Sequence, residues 1–598
     1  MIDQLSDYLS PLNQHFSRFM CRIAKINTQE LALASALVSY WTERGHICVY
    51  LNDYSEHPVK DCFEYSSRPM EKEDTSMCPT MDTWKALLLT SGVVGRPDEK
   101  KPLILDQCNR LYLYRYYEYE QQLANHLLTR SQQDVSNLYI SGLSKFLDRL
   151  FPKDPFSATD SPQRLAVEIA INKRLCIVSG GPGTGKTSVA AKMIAALIHV
   201  SEMPPKIDLT APTGKAAQRL QESLLDAQER LDCSPEIKAI MPKQAMTIHR
   251  LLGPIHRSPY FKYNKDNPLP SDVVIVDEAS MIDLALMSKL IVALRPEARL
   301  IILGDKDQLA SVDPGSVLGD ICIQYATHRP HSLQSCMVYL SKNYRFGDTS
   351  GIFKLAKAVN QGNSNRAIDI LEDSSRYPDI QWTDLQDLKN IKTALHNHII
   401  HYQEIYLKYK HPKDALLALN TFRILCAVRK GPFGVEQMNA YVADILASKG
   451  LIQPNKRWYH GRPIMITKND ATIGLYNGDI GIIFKDKEDQ NTLKAFFMGT
   501  DNSTIKKYLP ARLPEHETVY AMTVHKSQGS EFDHILFVLP DKLSKVLTRE
   551  LLYTGLTRTR KSIQLWATRS IFCAAVTNQI HRQSGLSDAI MVYQREKL

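Results

Sequence analysis

The stretch SGGPGTGKTS, residues 179–188, sets glycines ahead of a lysine and a threonine in the spacing GxxxxGK[ST]. A loop of Gly180, Gly181, Pro182, Gly183, Thr184 and Gly185 can turn its backbone N–H groups inward to cradle phosphates. Lys186 then reaches the β and γ phosphates, Thr187 holds Mg²⁺, and Ser188 stands beside it. A chance glycine turn has this composition too, but not between an apolar strand, RLCIVS, and a helix, SVAAKMIAALI.

An acidic pair follows at the end of another apolar run, VVIVDEAS, residues 273–280. Asp277 is expected to hold Mg²⁺ through its water shell, and Glu278 to polarise the attacking water. Paired acids at a strand end are common as surface features; a phosphate loop in the same sheet gives this pair work. In LGDKDQLASV the amide of Gln308 can sense the γ-phosphate. ATP hydrolysis also needs positive charge on the transition state, and Arg345 in LSKNYRF and Arg558 in LYTGLTRTR are the candidates.

These groups work only if a sheet holds them together. From Ser161 onward, helices alternate with strands too apolar to face water: RLCIVS, KIDLT, DVVIVD and ARLIILG. That pattern predicts a parallel sheet covered by helices on both faces, over residues 155–345. A second α/β region, 346–598, contains the helix GIFKLAKAVNQG, the long stretch DLKNIKTALHNHIIHYQEIYLKY, and the strands FRILCAV, HILFVL and SIQLWAT. Between about 452 and 515 short strands with turn signals predict a small inserted β-barrel. Residues 1–130 mix amphipathic helices with a short strand, HICVYL, and a polar break, SRPMEKEDTSMCPT. They end in tyrosines at 112, 114, 116, 117 and 119, which predict a strand running into a core helix, with a partner-binding face as the alternative. A linker, FPKDPFSATDSPQ, separates this region from the phosphate loop.

The 598 residues are 44% hydrophobic and 23% charged, as in an ordinary soluble protein of three or four domains. No membrane span or secretory signal is expected, and the cytoplasm is the default location. Residues 1–130 carry 14 basic and 17 acidic side chains, a balance of −3, so against a net +9 for the whole chain the later regions carry +12, compatible with a polyanionic partner. Eleven cysteines without a CxxC pair read as reduced core thiols. Cys62 and Cys78 lie near His46 and His57, but the spacing fits no zinc pattern and no cysteine metal site is expected.

The strings SPQRLA, GGPGTGKT, LTAPTGKAAQRL, TIHRLLG, DEASMID, GDKDQLASV, NYRF, GRPIMITKND, TVHKSQGSEFD and LYTGLTRTR, in this order, resemble superfamily 1 helicases. Within them the resemblance is strongest to the RecD-type alpha subunits of exodeoxyribonuclease V (RecBCD) complexes, and it covers about residues 160–570. It implies an α/β fold of two RecA-like P-loop motor domains, a small inserted β-barrel and a mixed, mainly helical N-terminal domain. ATP with Mg²⁺ would sit between the motors, with Gln163 reading adenine, and the motor would move 5′-to-3′ along single-stranded DNA. The resemblance also assigns Thr213, Lys215, Thr247, His249, Thr523 and His525 to DNA contacts, while Gln528 and Glu531 organise their turn against the cleft. The imidazoles have a plain alternative as satisfied core side chains. RecB-like and RecC-like subunits are the implied partners, docked through residues 1–130. A stand-alone RecD-like helicase would carry a longer N-terminal extension with helix-hairpin-helix repeats, and a conjugative relaxase helicase a relaxase domain ahead of the motor. A non-motor ATP-dependent scaffold would need the phosphate loop alone. No PD-(D/E)xK nuclease arrangement is present; RPDEKK at 96–101 reads as a solvated turn.

Overall fold

A computed structural model describes residues 8–25, 28–63, 76–135, 142–152, 161–326, 333–347, 349–387, 390–399, 404–470, 472–499 and 504–592. Most of the expected linker FPKDPFSATDSPQ, and the first part of the polar break at 67–80, lie outside them.

The alternating apolar runs of the middle region form one six-stranded sheet. Its spatial order is Met337–Leu340, Leu175–Gly180, Arg299–Gly304, Val273–Val276, Ile207–Ala211 and Ala245–Thr247, with every pairing parallel. Leu175, Ile177 and Val178 are wholly buried, as are Val273 to Val276, because helices cover both faces. A second, five-stranded parallel sheet runs Ile380–Thr383, Thr559–Trp566, Phe532–Val538, Phe422–Cys426 and Ala521–Thr523. Between its last two strands in sequence before the turn at 523, the chain inserts an antiparallel sheet. That sheet is ordered Ile505–Tyr508, Thr492–Met498, Ile480–Asp486, Arg462–Ile466 and His516–Thr518, where short strands with turn signals were expected. The long stretch at 387–409 is broken into short helices, Ile391–His398 and Glu404–Leu407, among its described residues. No described helix is long and apolar enough to cross a membrane.

The N-terminal region holds more sheet than its sequence suggests: Cys48–Tyr50, Arg110–Leu113, Leu103–Leu105 and Val94–Gly95 lie side by side. Strands of two to four residues are too short for an alternation to show. The tyrosine run does become a strand followed by a core helix, Tyr114–Ser131. Tyr112 and Tyr116 are buried in a core shared with the first parallel sheet and the helix Leu284–Val292. Cys62 and Cys78 meet in that region's core with sulfurs 3.3 Å apart.

The last described helix, Leu586–Val592, leaves the second sheet, to which the sequence had assigned it, and packs on the N-terminal region. Ile47 N donates to Gln583 O at 2.8 Å, and Arg110 bridges Asp106 (2.5 Å) and Asp588 (2.6 Å). Leu586 and Ile590 are buried in the shared core. The helix is short and its apolar residues few, so only a preformed surface could show where it docks.

Glu120 closes this junction, accepting from Gly585 N at 2.9 Å, Ser584 Oγ at 3.1 Å and Tyr112 OH at 3.2 Å. Burial pushes its carboxyl up to about 7 against the pull of these donors and Arg110, and burial takes neighbouring Asp320 to about 7 as well. A carboxyl raised in the folded state contributes stability that is complete below its unfolded value, near 4.3, and is lost as pH climbs through the folded value. Urea unfolding is therefore expected to become easier between about pH 5 and pH 8, and Glu120→Gln to flatten that slope. A Gln variant with the wild-type slope would show that Glu120 is not the group that titrates at the junction.

Candidate active site

The phosphate loop leaves the strand Leu175–Gly180 and enters the helix Lys186–Val200. Gly183 and Gly185 take φ of 84° and 87°, a left-handed region that side chains avoid. Beyond the strain, a Cβ on Gly183 would lie 2.6 Å from Arg345 Cβ, and one on Gly185 2.8 Å from Gln163 Nε2. Gly185→Ala is accordingly expected to cost about 1–2 kcal/mol of stability. It should also weaken nucleotide binding at least about tenfold, read by titrating a fluorescent nucleotide. Wild-type binding in that variant would mean that the loop is not the phosphate cradle.

The loop is braced from outside. Asn343 Nδ2 donates to Pro182 O at 2.8 Å, Tyr344 N to Gly183 O at 2.8 Å, and Gln163 Nε2 to Thr184 O at 3.2 Å. Thr184 Oγ1 turns inward onto Gly181 O at 2.8 Å. Lys186 Nζ rests on Gly180 O at 2.6 Å and Gly181 O at 3.2 Å, two neutral acceptors for a full charge.

A cavity of about 350 Å³ opens in front of the loop, and its walls include Lys186, Thr187, Ser188, Asp277, Glu278, Gln308, Arg345 and Arg558. Residues separated by as many as 372 positions in the chain thus share one space, as their types predicted. Burial, reinforced by Glu278, raises the Asp277 carboxyl, while Lys186 opposes the rise. Glu278 itself sits at φ 51°, ψ 42°, a strained conformation for a residue with a side chain. Gln308 is nearly buried; its Nε2 donates to Asp305 Oδ2 at 3.0 Å and its Oε1 accepts from Arg558 Nη2 at 2.7 Å. That last bond crosses from one parallel sheet to the other. Leu309 N to Thr554 Oγ1 at 2.9 Å and Gln528 Nε2 to Leu309 O at 3.1 Å cross with it.

Glu531, whose side chain is 7% exposed, gathers three arginines: Arg219, Arg345 at 2.5 Å and Arg560 at 3.1 Å. Burial alone would raise its carboxyl, but Arg219 and Arg345 hold it well below the usual carboxylate range. Arg345 keeps a second nitrogen, Nη1, buried without a hydrogen-bond partner. An unpaired guanidinium N–H beside a glycine loop and a lysine on neutral carbonyls is a set of donors that fits the phosphates of a nucleotide. Thr187 and Asp277 on the same cavity are oxygen donors of the kind that would hold Mg²⁺, with water and phosphate oxygens as its further ligands. Among the described residues no group of three His, Cys, Asp or Glu could hold a metal without such help.

The six residues expected at DNA stand apart from this cavity. Thr213, Thr247 and Thr523 each accept from a backbone N–H three residues on, at Ala216, Arg250 and Lys526, at 3.2–3.3 Å, so each hydroxyl caps a turn. Thr523 also lines a groove of about 250 Å³ with Lys526 and Arg429. His249 is exposed, edge-on to Phe261, and burial of part of its ring lowers its basicity; His525 is lowered by burial and by Arg582. Lys215 turns into a neighbouring cavity of about 500 Å³, where burial, then Arg423, press its ammonium down to about 7 against the attraction of Asp479. Arg219, Asp305, Tyr553 and Asn343 escaped the sequence reading. All four stand inside the quoted motif strings, and Arg219 lies one helical turn past Lys215 on the helix Gly214–Arg230.

Family models agree with this layout: an AAA domain over residues 163–314, the RecBCD enzyme subunit RecD N-terminal domain over 6–112, and a UvrD-like helicase C-terminal domain over 518–565. A phosphate loop on one parallel sheet, closed by groups from a second, with an AAA model over the first and a helicase model over the second, defines a nucleotide-hydrolysing DNA helicase of superfamily 1. RecBCD enzyme subunit RecD of Haemophilus influenzae is 34% identical over 611 residues, covering 93% of this chain and 92% of its own length. RecD of Mycolicibacterium smegmatis is 32% identical over 598 residues, with 98% of each chain covered. The chain belongs to the RecD family of RecBCD subunits. The ATP-dependent RecD2 DNA helicase of Deinococcus radiodurans is 28% identical over 426 residues, 69% of this chain but 50% of its own length.

Proposed function

We propose that the chain is the ATP-driven motor subunit of a RecBCD-type exodeoxyribonuclease V, moving 5′-to-3′ on single-stranded DNA in the cytoplasm during double-strand-break repair by homologous recombination and DNA end degradation. The observation that carries this is the Arg558–Gln308 bond at 2.7 Å, which ties the phosphate-loop sheet to the second sheet beside the nucleotide cavity. The near full-length match to RecD chains, against half of the longer RecD2 helicase, favours a subunit over a stand-alone enzyme.

Residues 155–345 form the first motor domain, 346–598 the second, with a small barrel at about 452–515, and residues 1–130 dock the RecB-like and RecC-like subunits. Gln163 reads adenine beside the loop Gly180 to Ser188. Thr187 and Asp277 hold Mg²⁺, which when bound draws negative charge from the phosphates. Lys186 leaves its loop carbonyls for the β and γ oxygens, and Glu278 takes the proton of the attacking water. Arg345 and Arg558 face the charge that grows on the transferred group, and Gln308 passes the change to the second sheet. Thr213, Lys215, Thr247 and His249 grip DNA on one motor, Thr523 and His525 on the other, so closing the cleft changes the grip of one relative to the other.

Titrating single-stranded DNA into an ATPase assay, with the chain alone and with its partner subunits, tests this. Stimulation, together with displacement of 5′-tailed but not 3′-tailed duplexes, is expected. A rate indifferent to DNA in both preparations would leave a non-motor scaffold instead.

A further inference from the structure

The helix Pro11–Ala24 turns two polar residues to the core beside Met20 and Cys21. Asn13 and Ser17 are fully buried. Asn13 Nδ2 donates to Glu43 Oε2 at 2.8 Å, its Oδ1 accepts from Ser39 Oγ at 2.6 Å, and Ser17 Oγ donates to Ala32 O at 2.5 Å. On the opposite side Leu12 is 67% exposed and Phe19 and Ile23 are each 45% exposed. Steps of seven and four residues put the three on one line down the helix. A surface helix normally turns such a line to the core. Here the bonds to the helix Gln29–Glu43 fix its rotation, because turning it over would leave buried polar groups unpaired.

Exposed His15, Arg18, Arg22 and Lys25 edge the line, and the helix contains no carboxylate. Arg22 lies over the Phe19 ring, 5.2 Å from its centre.

We propose that this face is the docking surface for a partner subunit, whose own surface is an apolar groove rimmed by carboxylates. The proposal rests on the reading of the chain as one subunit of a complex, and narrows the docking region from residues 1–130 to one side of one helix. A second copy of the chain does not suit the charge, since apposed faces would bring Arg18 and Arg22 against each other. Three anchors on a helix fixed by hydrogen bonds bind without the cost of ordering a loop.

The test co-expresses the chain with the RecB-like and RecC-like subunits and compares Phe19→Glu/Ile23→Glu with Met203→Glu, an apolar residue 80% exposed elsewhere. The double variant should lose affinity for the partners by about thirtyfold or more, as for central anchors of an interface. Its DNA-stimulated ATPase as an isolated chain should be unchanged, and Met203→Glu should assemble normally. Where the paired charges lower the yield of folded protein, Phe19→Ser/Ile23→Ser is read instead and should fail to assemble in the same way. Full assembly of the double variant overturns the proposal. So does flotation of the wild-type chain on phosphatidylglycerol vesicles, or capture of duplex DNA, that disappears with the two substitutions. If the wild-type chain binds neither subunit, the subunit reading falls first and this surface loses its occupant with it.

Discussion

Glutamine in place of Lys186 is expected to cut the DNA-stimulated ATPase by about 10³-fold, equivalent to roughly 4 kcal/mol of transition-state stabilisation. The side chain makes two hydrogen bonds, both to loop carbonyls, at 2.6 and 3.2 Å. A glutamine amide can keep one of them, so the loop and the helix Lys186–Val200 should fold as before and urea unfolding should not move. What is lost is the one lysine charge on the phosphate loop, in a cavity where Asp277, Glu278 and Glu531 offset Arg219, Arg345 and Arg558. Phosphate release at saturating single-stranded DNA measures the effect. A variant that still hydrolyses ATP within tenfold of wild type would remove this lysine, and the loop with it, from the reaction.

Arg345→Ala is expected to lower kcat by about 10³-fold or more, as removal of an arginine finger does, while KM for ATP shifts by less than about threefold. That split follows from where the guanidinium stands. Nη2 is bound to Glu531 and Nη1 is buried without a partner, so the Nη1 hydrogens are free to meet charge when phosphate arrives. Loss of Arg345 leaves Glu531 paired with Arg219 and Arg560, so the turn at 523–533 should survive. Steady-state kinetics with a melting curve tests this. Equal losses in kcat and in ATP affinity would make Arg345 a ground-state clamp instead.

The nucleotide site was legible because its chemistry is local. Glycines before Lys186, and acids at the end of an apolar strand, are each written within ten residues, and the βαβ pattern brings such segments together at one sheet edge. What stayed hidden depends on contacts far apart in sequence. Glu531 reads as one acid in a polar turn, and nothing near it announces three arginine partners, two of them from the other sheet's side of the cleft. Lys215 looks like a free cation at the start of a helix, yet the antiparallel insertion brings Asp479 to the same cavity and leaves the lysine half-buried. The N-terminal sheet is built from pieces too short to carry a period, while the tyrosine run was readable because it continues from one such piece into an eighteen-residue helix.

The return of the chain end to the N-terminal region sets a limit on motion. Helix Arg569–Thr577 belongs to the second sheet's core, yet Arg582 already donates to Gly315 O at 2.7 Å and Gln583 is bonded to Ile47. The five residues between, 578–582, can stretch to no more than about 17 Å at roughly 3.4 Å each. They act as a leash between the two halves: any wide gape would first have to peel Leu586 and Ile590 from their seat.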